Sequence, residues 1–196
     1  EKEIGVAGDS SQDLGSPRSG DFPMPMIPMT YLDKQFAQAL EGSKYQVSAT
    51  PQGRNSMFHD NRPECCGNAS CIPICPIQAK YDATVHVRQA EEVGAVVYDQ
   101  TTATRLNVGK DGKIASVDFR RADGSTGTAS GKVVVVAAHA IETPRLLLNS
   151  AQEGAENGVA NTSDQVGRNL MDHPTKLSWA LAPEPVWPYR GPLSTS

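Results

Sequence analysis

The chain has 196 residues and a net charge of −4, enough length for one ordinary domain with a real core. That mild acidity argues against a protein that tracks nucleic-acid phosphates, which would carry a basic patch or stripe. A mean hydropathy of −0.40 describes a soluble globular chain, and the longest purely apolar run, 133–138, falls far short of the roughly 20 residues a membrane-spanning helix needs.

No basic stretch followed by an apolar one opens the sequence, so no signal peptide is expected. The chain begins at Glu1 rather than at a methionine, as an internal piece of a longer protein would. Residues 1–28 are rich in Gly, Ser, Asp and Pro, and Pro23, Pro25 and Pro28 alternate with Met24, Met26 and Met29. Prolines at that density forbid a helix and favour an extended path. The segment reads as an ordered loop lying across another surface, or as a Met-rich strip that docks a partner. Residues 30–40 predict a helix, with Thr30 as N-cap, Asp33 at the third helical position, apolar residues at helical spacing and Gly42 just beyond. A short strand is expected over 45–50. From 93 onward the pattern is that of strands: 95–108 and 114–120, separated by the turn Lys110-Asp111-Gly112-Lys113, then Ala122-Asp123-Gly124-Ser125, then 131–138. The last run has no polar face, as expected of a strand buried on both sides. Residues 141–150 predict a helix, with Thr143 able to cap it and Pro144 able to occupy its first position. The tail from 182 is proline-rich and irregular. The whole reads as a mixed α+β chain whose securest part is a three-stranded meander leading into a helix. It divides into a loop-rich segment with one helix (1–60), a cysteine-rich loop (61–90), strands and a helix (91–150) and the start of a further segment (151–196).

All four cysteines, Cys65, Cys66, Cys71 and Cys75, fall within eleven residues. Scattered structural thiols do not cluster so, and the purposes that fit are an iron–sulfur cluster, zinc or local disulfides. Adjacent Cys65 and Cys66 suit a closed zinc tetrahedron poorly, whereas the Cys-x3-Cys-Pro ending resembles the last ligands of bacterial ferredoxin loops. Gly67 and the small residues Asn68, Ala69 and Ser70 would let the backbone curl around an inorganic core. Pro73 and Pro76 would stiffen the loop, and Ile72, Ile74 and Ile77 would shield it from water.

The stretch from Asn61 to Tyr81, containing Arg-Pro-Glu-Cys-Cys-Gly-Asn-Ala-Ser-Cys-Ile-Pro-Ile-Cys-Pro, resembles one group of flavoenzymes. These are the catalytic subunits of bacterial membrane-associated sugar, sugar-alcohol and gluconate dehydrogenases, within the glucose–methanol–choline (GMC) oxidoreductase family. Two further stretches agree in family order: Ala137-Ala138-His139-Ala140-Ile141-Glu142-Thr143-Pro144-Arg145-Leu146-Leu147-Leu148, similar to the family's strand–turn–helix signature, and Gly167-Arg168-Asn169-Leu170-Met171-Asp172-His173-Pro174.

The resemblance implies a fragment of a GMC-type FAD-binding fold, with FAD as primary cofactor and a [3Fe–4S] cluster as electron outlet. A hydroxyl-bearing carbon would give hydride to FAD, and electrons would pass through the cluster to a c-type cytochrome subunit at the periplasmic face of the inner membrane. A small chaperone-like subunit is a further implied partner. The family's pattern points to Cys65, Cys66 and Cys71 as the three thiolate ligands, with Cys75 a neighbour or the fourth ligand of a [4Fe–4S] cluster. Ala103 would offer its backbone to the flavin's adenine edge, and Ala138 and His139 would lie where the family chain passes the ADP half of FAD. His139 stands where many relatives have Gly. Asp172-His173-Pro174 reads as a structural turn, and His59 and His86 have no spacing logic. No Gly-x-Gly-x-x-Gly occurs in the sequence, and no segment matches the family's catalytic histidine, so the chain by itself is expected to be inactive. The alternatives are a flavin alcohol oxidase or dehydrogenase whose four cysteines form disulfides, and a non-catalytic module that docks a partner. An unflanked Val-rich strand from Val133 would leave an edge open to a second copy, so self-association is expected.

Overall fold

A computed structural model describes residues 1–13, 15, 17–193 and 195–196. The chain forms two compact units: unit 1 comprises residues 1–95 and 179–196, and unit 2 comprises residues 96–178.

Unit 1 opens with β1 (Ala7–Gly8) and β2 (Met24–Pro25), which pair in parallel through Ala7 and Met24. The Met/Pro strip therefore does run extended, and it supplies core rather than surface at two positions. Ala7, Met24 and Ile27 form a small buried cluster with Cys65 packed on it. Phe22 is buried beneath the Arg18 guanidinium, 3.4 Å from its ring centroid, and Arg18 pairs with both Glu1 carboxylate oxygens at 2.7 Å.

Helix α1 (Tyr31–Ala39) forms as the sequence predicts, with Thr30 and Asp33 making a reciprocal capping box that satisfies backbone N–H groups the first turn leaves orphaned. Asp33 also accepts from the hydroxyls of Thr195 and Ser196, so the cap doubles as an anchor for the tail. Residues 45–50 are not the expected strand. They find no partner strand, and Thr50 N–H instead donates to the Thr195 carbonyl at 3.2 Å. Helix α2 (Thr84–Glu92) has no counterpart in the sequence reading. Its start is held by Asp82, whose carboxylate accepts from the Thr84 backbone at 3.0 Å.

Unit 2 holds an antiparallel meander, β3 (Thr101–Val108), β4 (Ile114–Arg121) and β5 (Thr126–Ala129), ordered β3-β4-β5. Both predicted turns are present, with Gly112 and Gly124 at positive φ, the conformation glycine adopts without steric cost. Two strand limits differ from expectation. Residues 95–100 stay outside β3, since β4 offers partners only from Thr101 onward. The expected third strand, 131–138, does not form, and the third strand is β5 immediately after the turn. The valine run has no neighbouring backbone to pair with in unit 2, and Val133 and Val135 are 80% and 81% exposed rather than buried.

Helix α3 (His139–Asn149) starts two residues before the predicted limit, so Pro144 lies inside it. Thr143 still serves the helix start, its Oγ1 accepting from the Ala138 N–H at 2.9 Å. The end of α3 is fastened to β3. Buried Ser150 accepts from the Leu106 N–H at 2.9 Å and donates to the Leu146 carbonyl at 2.6 Å. Gln152 accepts from the Val108 N–H and donates to the Leu106 carbonyl. Leu106, 1% exposed, is the core of this junction. No helix is long and apolar enough to cross a membrane among the described residues.

Candidate functional site

The cysteine loop belongs to unit 1 and is closed at a neck built on Asn55, which is fully buried. The Asn55 N–H donates to the Ala79 carbonyl at 2.8 Å, and its carbonyl accepts from Cys65 at 2.9 Å, so one residue holds both ends of the loop. Arg54 bridges to Lys80, and the Tyr81 N–H donates to the Gly53 carbonyl at 2.7 Å. The Asn55 amide side chain donates to the carbonyls of His59 and Arg62 at 3.0 and 2.9 Å, bracing the turn that leads into Cys65.

Within the loop, Gly67 takes a φ of +76°, and the Asn68 side chain accepts from the Ser70 backbone and hydroxyl. The Cys71 thiol is buried and donates to the Asn68 carbonyl at 3.1 Å. Cys65 and Cys75 are half-buried and Cys66 is exposed; all four thiols are free. Burial pushes the Cys75 thiol up, but the backbone N–H groups of Lys80, Ile77 and Ala79 and the Arg54 charge outweigh it. They hold Cys75 below the usual thiol range. Ile72, Ile74 and Ile77 do not shield the loop as expected: they are 64%, 70% and 38% exposed, because the loop's short turns point them outward. Among the described residues no three His, Cys, Asp or Glu side chains gather in a ligating group. As donors the four free thiols suit a soft thiolate-ligated centre.

In unit 2, Ala103 lies exposed on β3, an edge strand, with the ladder interrupted between Ala103 and Arg105. An edge strand presents unpaired backbone groups, which fits a main-chain contact to an adenine edge. Ala138 and His139 are exposed at the start of α3. His139 takes a φ of +77°, the left-handed region in which glycine is the usual occupant, and its ring Nδ1 accepts from the Ile141 N–H at 3.3 Å. Here the imidazole caps its own helix. The β3–α3 junction forms at Leu106 and Ser150, so His139 sits at the far end of α3, roughly 15 Å along the axis from that contact. Asp172 and His173 are 98% and 99% exposed and hydrogen-bond each other, in an irregular stretch that forms no turn at 172–174.

The sequence reading passed over Arg54, Asn55, Arg62 and Lys80, which build the neck. Arginine and lysine are most often surface residues, and only the Asn55 to Arg62 stretch, dense in polar groups ahead of the cysteines, marks the place.

Residues 33–175 match the GMC oxidoreductase family, and the chain belongs to that family. Over its whole length it is 35% identical to the fructose dehydrogenase large subunit of Gluconobacter japonicus, covering 36% of that protein. It is 33% identical to 6'''-hydroxyparomomycin C oxidase of Streptomyces lividus over 79% of this chain and 30% of the relative. With paromamine 6'-oxidase of Streptomyces fradiae it shares 29% identity, over 87% of this chain and 31% of the relative. The chain thus spans about a third of the length of these relatives.

Proposed function

We propose that the protein is part of an FAD-dependent dehydrogenase that oxidises the CH–OH group of a sugar, sugar alcohol or sugar acid, and that its cysteine loop carries an iron–sulfur electron outlet. The observation that supports this reading best is the pinned loop itself, with four free thiols within eleven residues. Its likeness over the whole chain to the fructose dehydrogenase large subunit supports it further. Bound FAD would supply the two-electron acceptor, and a thiolate-ligated cluster would supply one-electron transfer. The residues of this chain would bind and orient: Ala103 offers backbone groups on the β3 edge, and Ala138 and His139 line the start of α3. Cys65, Cys66 and Cys71 would hold a [3Fe–4S] cluster, with Cys75, in its amide-lined seat, as neighbour or fourth ligand. A c-type cytochrome subunit would take the electrons and a small chaperone-like subunit would assist assembly, at the periplasmic face of the inner membrane.

The second reading is a GMC flavin enzyme without a cluster; the four thiols, free here rather than joined as the expected disulfides, are what a cluster-free protein would carry. Iron and acid-labile sulfide analysis with EPR spectra of the full-length protein decides between them. Flavin together with three or four irons and a matching EPR signal is the expected result. Flavin without any iron–sulfur signal after anaerobic reconstitution would refute the electron outlet and leave the flavin enzyme.

A further inference from the structure

Beside the neck of the cysteine loop lies a cavity of about 410 Å³, lined by Arg54, Lys80, Tyr81, Ile4, Ile72 and Leu193 among others. Its volume falls in the range of small-molecule sites. The charge around it is one-sided. Arg54 is 5% exposed; among the described residues its guanidinium donates from Nη2 to the Leu193 carbonyl at 3.2 Å, while Nε and Nη1 are sealed from water without an acceptor. Lys80 reaches a backbone carbonyl, that of Cys71, at 3.5 Å. Behind the cavity wall, Arg62 is 3% exposed and lies 5.6 Å from the Tyr81 ring centroid, with Nε and Nη1 again without partners. No salt bridge to any of the three forms among the described residues. No Asp or Glu is among the residues that line the cavity, although the chain as a whole carries a net charge of −4.

A buried cation without a counter-charge is strongly unfavourable, so this arrangement is explained by an anion that completes it. We propose that the cavity binds the oxyanion group of a small molecule, a carboxylate or a phosphate monoester, between Lys80 and the Arg54 charge, with the apolar part of the ligand on Ile4, Ile72 and Leu193. Lys80 supplies the mobile donor. Arg54 and Arg62 supply fixed positive potential through a medium that screens it less than water does. The site adjoins the thiol loop, whose Cys75 also feels the Arg54 charge. It touches the cysteine loop through Ile72 and through the Lys80 bond to Cys71, so a bound anion steadies the loop from its base.

The test uses the full-length protein at constant ionic strength, titrated with inorganic phosphate or with acetate while melting temperature and calorimetric heat are followed. Saturable binding of phosphate assigns a phosphorylated ligand, and saturable binding of acetate assigns a carboxylate. In either case Lys80→Met weakens binding by about tenfold, as loss of one charge-assisted bond should, and Lys80→Arg restores most of it. Arg54→Met weakens it at least as much; if that variant does not fold, the Lys80 pair decides alone. No saturable anion effect, or one equal in wild type and Lys80→Met, overturns the proposal. So does an Arg54→Met protein that melts higher than wild type and binds each anion unchanged.

Discussion

Asn55 offers the most direct handle on the cysteine loop. Replacing it by Ala removes the two side-chain hydrogen bonds to the His59 and Arg62 carbonyls, at 3.0 and 2.9 Å, at a position with no solvent exposure. Each such bond contributes about 1 kcal/mol net, and each stranded buried carbonyl adds to the loss, so local opening should become easier by about 2 kcal/mol or more. That corresponds to a rise of roughly thirtyfold in the open population. Cys71, 4% exposed, reports that opening. In cluster-free full-length protein, alkylation followed by peptide mass mapping should show Cys71 labelled roughly thirtyfold faster in Asn55→Ala, in the regime where reclosing outpaces alkylation and labelling follows the open population. Exposed Cys66 should label at the same rate in both proteins. Asn55→Asp has the same shape but no donors and sets a charge against two carbonyls, so it should loosen the loop at least as much. Unchanged Cys71 labelling in both variants would refute the assignment of Asn55 as the neck.

Asp33 ties α1 to the tail. Burial raises its carboxyl, but the hydroxyls of Ser196, Thr195 and Thr30 and the Thr30 N–H hold it below the usual 3.8. A carboxylate lowered on folding stabilises above its unfolded value and loses that contribution as pH falls through the folded one. Trypsin cleavage after Arg190, or an equally specific cut by an acid-tolerant protease at lower pH, should therefore rise only below about pH 4. Asp33→Ala should show the same release at neutral pH, weakening the anchor by about 1–2 kcal/mol; a tail equally protected in that variant would refute the anchor. Gly158→Ala places a Cβ 2.9 Å from the Leu147 carbonyl and the Leu148 Cα at a φ of +104°. Hydrogen exchange at Ser150 and Val159 should report a loss of about 2 kcal/mol or more, and unaltered exchange would contradict the close approach. At His139, Ala keeps the strained backbone and loses the imidazole bond, for a cost of about 1 kcal/mol, whereas Gly relieves strain of similar size and comes out nearly neutral. Melting curves and flavin content of the two variants should separate in that order, and a Gly variant as unstable as the Ala variant would refute it.

The elements legible in the sequence are those whose causes are local. Thr30 and Asp33 specify the start of α1 within four residues, and Gly112 and Gly124 each specify a turn that brings adjacent strands together. The valine run departs from the expected strand because hydrophobicity says where a strand could be buried, while a strand also needs a neighbour's backbone to bond to. Helix α2 escaped notice because a single buried residue, Val85, marks its inner face, too little for a periodic signal. At the candidate site the thiols and Gly67 announce themselves by spacing. Asn55 and Arg54 do not, since Asn55 reaches Ala79 and Arg54 reaches Leu193, contacts over separations that no local pattern encodes, and the nearer His59 and Arg62 partners are backbone carbonyls that carry no residue signal.

The tail's return to unit 1 sets a timetable for the chain during synthesis. Residues 96–178 form an uninterrupted stretch whose three strands pair with one another. Arg54, Thr50 and Asp33 must instead wait for Leu193, Thr195 and Ser196 to emerge. At ordinary elongation rates that delay is roughly 7–30 s after Arg54 leaves the ribosome. Throughout it the wall that Leu193 gives to the cationic cavity is missing and the base of the thiol loop stands open, a period in which an assembly factor would have access that the finished fold withdraws.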